Sequence, residues 1–176
     1  QYTIQDLSAT GFSVSQLKTG GFDATALVTA NIDVSELKSA GFNATELKTA
    51  NVTATQLKTA NFTLQNIIDA GYSYTDIRTA GFTASQLKIV GVSITVMKSA
   101  GYTSSELKTS GLTASQLKVV GYTSTELKTA GFTATQLLAA SYSPSELKTA
   151  NYPISELVSA GVSTYELKQA NFTAAE

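Results

Sequence analysis

Read in blocks of ten from Gln1, all 176 residues fall into one register without an insertion or deletion, and this period constrains the fold more than any other feature. The stretch GYTSTELKTAGFTATQLLAA, residues 121–140, shows the phrase twice. A tandem period this short specifies a stacked array in which each unit touches mainly its neighbours, in place of one globular core. The chain holds about 17.6 decapeptides as a single tandem-repeat solenoid over 1–176. QYTIQDLSAT already fits the repeat and NFTAAE stops inside one, with no initiator Met and no signal-like segment, so the expectation is an uncapped piece of a longer array.

Numbering positions by the last digit of the residue number, position 1 is Gly in eleven copies and Asn in five (Asn31, Asn51, Asn61, Asn151, Asn171), with Gln1 and Ser141 as exceptions. Gly and Asn most readily adopt the left-handed conformation that ends a helix. Position 3 is Ser, Thr, Asp or Asn in seventeen of eighteen copies, and position 6 is Glu or Gln in thirteen. Thr-x-x-Glu is a capping box. Position 2 is apolar or aromatic throughout and position 7 is Leu, Ile or Met, so the two form a hydrophobic staple if position 3 is the N-cap. All eleven Lys and Arg78 sit at position 8, in the last turn, where a cation meets the negative helix end. Pro144 falls at the first helical position, where proline is favoured, while Pro153 replaces an N-cap and fits less well.

Each repeat therefore reads as a helix of six or seven residues, opened by a boxed Thr and closed by Gly or Asn. Alone it is far below the roughly 12–15 residues needed for marginal stability, so it must be held by packing. Positions 2, 4, 7 and 10 supply the core, and Phe132 is expected between Leu127 and Leu137. Sorting position 1 by every third copy places Gly11, Gly41, Gly71, Gly101, Gly131 and Gly161 in one all-Gly class, and the large aliphatics Ile89 and Val119 at position 9 are also thirty residues apart. These spacings predict three helices per superhelical turn and, with layers about 8–10 Å apart, a rod on the order of 50–60 Å long.

Split at five, A-G-F-T-A followed by T-Q-L-L-A resembles the pentapeptide-repeat proteins, which implies a square β-solenoid as the alternative fold. Five-residue symmetry leaves unexplained why cations occur only at position 8 and cap residues at position 3; the helical reading accounts for both. The phrase GFTASQLK also resembles decapeptide arrays of uncharacterised microbial and large-DNA-virus proteins, a resemblance that implies no assigned activity.

Net charge is −1, from 12 basic and 13 acidic side chains, which argues against a nucleic-acid groove. No apolar run reaches membrane length. With no Cys, His or Trp there are no disulfides, no thiolate chemistry, no usual zinc ligands and no histidine base; no catalytic, cofactor or metal site is expected. Glu36, Glu46 and Glu106 are periodic box residues rather than an acid–base pair set apart from the pattern. Thr53 with Thr55 and Thr133 with Thr135 resemble the ranked threonines of ice-binding β-solenoids, although a capping hydroxyl is already committed to the backbone. Sequons at Asn43, Asn51, Asn61 and Asn171 mark N-glycosylation sites for a secreted eukaryotic form.

Val28, Ile68, Leu138 and Val158 stand where Lys is expected, and with Ile89 and Val119 they are candidate contacts to another copy or a protein partner. The copy around Tyr74, Asp76 and Arg78 is also irregular. The sequence thus points to a non-enzymatic all-α solenoid acting as a rod, spacer or filament subunit that self-associates, on an extracellular, cell or virion surface. A protein-binding scaffold is the first alternative, and an ice-binding or pentapeptide-type β-solenoid the second.

Overall fold

The computed structural model describes residues 2–173, and each full repeat there forms one six-residue helix over positions 4–9. Gln1 and Glu176, included in the position counts above, lie outside the described residues. Two compact units divide the chain at Val90. The first, Gln1–Val90, carries α1 (Ile4–Ala9), α2 (Val14–Thr19), α3 (Ala24–Thr29), α4 (Val34–Ser39), α5 (Ala44–Thr49), α6 (Ala54–Thr59), α7 (Leu64–Asp69), α8 (Tyr74–Thr79) and α9 (Ala84–Ile89). The second, Gly91–Glu176, carries α10 (Ile94–Ser99), α11 (Ser104–Thr109), α12 (Ala114–Val119), α13 (Ser124–Thr129), α14 (Ala134–Ala139), α15 (Pro144–Thr149), α16 (Ile154–Ser159) and α17 (Thr164–Gln169).

The ends of these helices follow from the side chains that flank them. In α13 the Thr123 hydroxyl accepts from the Glu126 N–H at 3.2 Å while the Glu126 carboxylate accepts from the Thr123 N–H at 2.7 Å, a closed capping box. The shorter Asp6, Asn66 and Asp76 close boxes as well, so the irregular copy around Tyr74 is fully capped. The expected box at Glu36 does not form, because Asp33 turns to accept from the Ser35 N–H at 2.7 Å, and α3 and α10 carry Ala26 and Val96 where a box needs a polar side chain. At the other end every described position 1 has positive φ, from 60 to 61° at the five Asn, 65° at Ser141 and 78 to 95° at the Gly. This turns the chain so that, at the end of α4, the Gly41 N–H reaches the Lys38 carbonyl at 2.9 Å and the Phe42 N–H reaches the Leu37 carbonyl at 3.0 Å, the two bonds of a Schellman motif.

Within the first unit α2 packs on α4, α4 on α6, α6 on α8, α3 on α5 and α5 on α7; within the second α11 packs on α13, α13 on α15, α15 on α17, α12 on α14 and α14 on α16. Helices two apart are therefore the layer partners, and a superhelical turn takes two repeats, or twenty residues. The expected three helices per turn is wrong, and the length estimate built on it falls too. The reason lies in the backbone: Gly and Asn hold the same left-handed turn at every position 1, so the choice between them carries no information about layers. No strand occurs among the described residues, which removes the pentapeptide-type β-solenoid and the flat threonine sheet that an ice-binding reading needs.

In each unit the core runs along that unit's own layers. From Leu17 to Leu167 every position 7 is buried, joined by most position 2 side chains and by the small residues at positions 4 and 10. Phe132 is buried as expected, its N–H held by the Leu127 carbonyl at 3.0 Å. Fully burying a Leu or Phe contributes about 1.5–3 kcal/mol, which a lone turn and a half of helix has no means to gain. Where Ser replaces Ala at position 4, its hydroxyl is satisfied across the layer: Ser104 donates to the Glu126 carbonyl and Ser124 to the Glu146 carbonyl, both at 2.8 Å.

Candidate functional site

The polar groups that the fold brings together lie between layers. The position 8 lysine does meet a negative helix end, but of another helix. Its own last carbonyls are engaged by the Schellman turn, and its four-carbon stem crosses to the layer two repeats on. Lys18 Nζ donates to the Gly41 carbonyl at 2.6 Å, Lys58 to Gly81 at 2.6 Å and Ala80 at 3.0 Å, and Lys98 to Gly121 at 2.7 Å and Val120 at 2.8 Å. The same ammonium lies over the ring that follows, 4.1 Å from the Phe42 centroid for Lys18 and 4.5 Å from that of Tyr122 for Lys98. Each such lysine thus neutralises a C-terminal pole and makes a cation–π contact.

Tyrosines supply a second link of the same span in the opposite direction. Tyr122 donates its hydroxyl to the Tyr102 carbonyl at 2.5 Å, Tyr142 in turn donates to the Tyr122 carbonyl, Tyr152 donates to the Phe132 carbonyl at 2.5 Å, and Tyr72 donates to the Val52 carbonyl. Burial pushes the Tyr72 and Tyr152 phenols up to about 12, with the nearby Asp76 and Glu156 carboxylates adding to the effect, and moves Tyr122 and Tyr142 in the same direction. The box carboxylates move the other way. The Thr123 and Ser143 N–H groups hold Glu126 and Glu146 below the ordinary range against partial desolvation, helped by the cap hydroxyls and by Lys98 and Lys118.

The sequence contains a signal for this arrangement that a repeat-by-repeat reading misses. Position 8 governs the type of residue found 24 places on, at position 2. Lys18, Lys38, Lys48, Lys58, Lys98, Lys108, Lys118, Lys128 and Lys148 all face a Phe or Tyr there. Ser8, Val28, Ile68 and Leu138, which lack the cation, stand in sequence 24 residues before Ile32, Val52, Val92 and Val162, all aliphatic. Lys88, 24 residues before Leu112, is the one departure. In sequence, the apolar residues at position 8 thus go with aliphatic residues 24 places on, as the lysines go with rings. Val28, Ile68 and Leu138 are half-buried, and Val158, at 53 %, is exposed.

The remaining candidates fall on the outside. Ile89 and Val119 are 84 % and 87 % exposed, the most open large apolar side chains in the array. Asn43 is an N-cap whose Oδ1 accepts from the Glu46 N–H at 2.9 Å, whereas Asn51, Asn61 and Asn171 occupy left-handed turn positions; all four are exposed. Thr53 and Thr133 are caps, accepting from the Gln56 and Gln136 N–H groups, both at 3.2 Å. Pro153 makes no side-chain cap, and the Glu156 carboxylate reaches to the Ala134 N–H instead, at 3.0 Å.

Open grooves recur with the repeat. One of about 430 Å³ is bordered by Lys48, Val52, Thr53, Tyr72 and Asp76, and one of about 470 Å³ by the residues fifty places on, Lys98, Tyr102, Thr103, Tyr122 and Glu126. Cap residues and ladder lysines and tyrosines line both, together with Thr55 and Thr79 in the first and Ser105 and Thr129 in the second. Among the described residues no cluster of three or more metal-ligating side chains forms, and no helix is long and apolar enough to cross a membrane.

Comparison with curated proteins and with solved structures finds no match. A family model described as decapeptide repeat region does match, over residues 1–74, 43–114, 61–134 and 111–176, which together span the whole chain. The capped six-residue helices and their two-repeat layers are thus the structure of a member: the chain belongs to the decapeptide repeat family.

Proposed function

We propose that the protein is a non-enzymatic structural element, a rod, spacer or filament subunit whose task is to set distance. The supporting observation is the interlayer ladder. Nine lysines bind the next layer through backbone carbonyls and a ring, and the box residues hold the helix starts, so the regular charged side chains serve cohesion along the stack. Such an interface repeats without limit, because each new layer meets the same groups as the last. The test places the chain between two fluorescent domains and adds repeats in steps of twenty residues. A spacer separates the fluorophores by an equal increment per step; a separation that does not grow with added layers rejects the reading.

A protein-binding scaffold is the second reading, favoured by the exposure of Ile89 and Val119 where other repeats mostly carry Thr or Ser. Restoring that pattern with Ile89→Thr and Val119→Thr removes partner capture on this reading and leaves it unchanged on the first. For either role an extracellular, cell or virion surface is the proposed setting, with the exposed Asn43, Asn51, Asn61 and Asn171 as glycan acceptors in a secreted eukaryotic form. Loss of mass on enzymatic deglycosylation checks that assignment.

A further inference from the structure

Besides the hydroxyls of positions 3 and 9, the repeat carries a third row that the fold leaves unused. Position 5 is Ser or Thr in fourteen of eighteen copies, seven of each, with Gln5, Gln65, Tyr165 and Ala175 the exceptions. Thirteen of the fourteen are exposed and Ser85 is half-buried. The copy from Gly121 to Ala130 shows how this row differs from the other two. Thr123 accepts from the Glu126 N–H at 3.2 Å and donates to the Glu126 carboxylate at 2.8 Å, and Thr129 donates to the Thr125 carbonyl at 3.0 Å. The Thr125 hydroxyl makes no hydrogen bond, and the same holds for all fourteen. A helical Ser or Thr donates to a carbonyl three or four residues back. For position 9 that carbonyl lies within its own helix. For Thr125 the two are Tyr122 and Gly121, which already accept from the Tyr142 hydroxyl and the Lys98 ammonium, and for Thr135 they are Phe132 and Gly131, taken by Tyr152 and Lys108.

The residue types that this row avoids point to its use. A first helical turn favours Asp or Glu, and an exposed helical site favours Ala, Glu, Gln or Lys, yet no described position 5 carries a charge. Ser and Thr alternate there in equal number, so the shared feature is the hydroxyl and not the Thr methyl. Resting on the surface setting proposed above, we infer that position 5 is a row of acceptors for O-linked sugars. Transfer from a nucleoside diphosphate sugar joins the anomeric carbon to the side-chain oxygen and breaks that carbon's bond to phosphate. The nucleoside diphosphate leaves, and the hydroxyl proton passes to the transferase's base. The stack needs no adjustment, because an exposed, unbonded oxygen gives up no contact. A neutral sugar suits the row where phosphate does not: Glu36, Glu46, Glu106, Glu126, Glu146 and Glu156 each follow a position 5 hydroxyl directly, and a dianion beside them would meet like charge.

Site-resolved mass spectrometry of the protein isolated from the cells that naturally make it tests this. Cleavage after the position 8 lysines gives peptides such as 109–118 and 119–128, each with hydroxyls at more than one position, and electron-transfer fragmentation tells these apart. The expected result is a hexose or N-acetylhexosamine increment on Ser115 and on Thr125, and none on Thr109, Thr113 or Thr123. Thr125→Ala, made in the same cells, is expected to match the parent in circular dichroism and to lose one increment, while Thr129→Ala loses none. An unmodified protein, phosphate in place of sugar, or sugars on positions 3 or 9 instead of 5 each overturn the inference. None of these outcomes touches the spacer reading, which stepwise lengthening of the unmodified chain decides by itself.

Discussion

A lysine that spans two repeats is the smallest part of this molecule that holds one layer to another. Its ammonium donates to main-chain carbonyls and lies over a ring, so charge, reach and shape all matter. Lys108→Met keeps an apolar stem of similar length but strips the Ala130 and Gly131 carbonyls of their donor; the expected loss is about 1–2 kcal/mol, read from the denaturant midpoint. The tyrosine links make a prediction in pH. Tyr72 and Tyr152 have folded-state values raised from 10.0 to about 12, so the neutral phenol is the form the fold prefers. Their contribution to stability is complete below pH 10 and is lost as pH rises through about 12. Glu126 and Glu146 act in the opposite sense, contributing above the ordinary carboxylate value of 4.5 and losing that contribution as pH falls below it. Thermal melts from pH 3 to about 12, with tyrosinate absorbance followed in parallel, should show a plateau with these two shoulders.

For the helices, the caps were readable from residue types alone. Ser, Thr, Asp or Asn at position 3 and Gly or Asn at position 1 are local solutions to local problems, namely free N–H groups at one end and free carbonyls at the other, and in α1 to α15 and α17 the position 3 side chain accepts from a first-turn N–H as expected. Gly131→Ala tests the closing turn. It puts a Cβ at φ 79° and 3.3 Å from Lys108 Nζ, and is expected to cost about 1–2 kcal/mol in chemical denaturation. Gly131→Asn should cost much less, because Asn61 and Asn171 already hold this turn while accepting from Lys38 at 2.6 Å and Lys148 at 2.6 Å. The layer period was not readable in the same way. The cap positions look the same in a stack of two or three helices per turn, and only side chains that cross between layers record the difference. That record lay in Val28, Leu138 and their aliphatic counterparts Val52 and Val162, which take on meaning when compared 24 residues apart and look like isolated exceptions within one repeat.

Across the whole molecule the pairing of position 8 with position 2 acts as a register. Leu138→Lys alone sets a cation against Val162, and Val162→Phe alone sets a ring against Leu138; the two together rebuild the pair that Lys128 makes with Tyr152 at 4.8 Å. A double-mutant cycle is expected to give a favourable coupling of about 0.5–1 kcal/mol, measured by urea unfolding, and additive single effects would reject the register. The ladder's other half has no such memory. Its acceptor is a main-chain carbonyl, present in Gly41, Asn61 and Ser141 alike, so a lysine finds the same partner whichever copy follows. A gene for such a chain can gain or lose decapeptides by replication slippage or unequal crossing-over, and the new junction still closes its hydrogen bonds. Length is thereby open to selection from one generation to the next, while the ring pairing alone keeps a trace of which copies have long been neighbours.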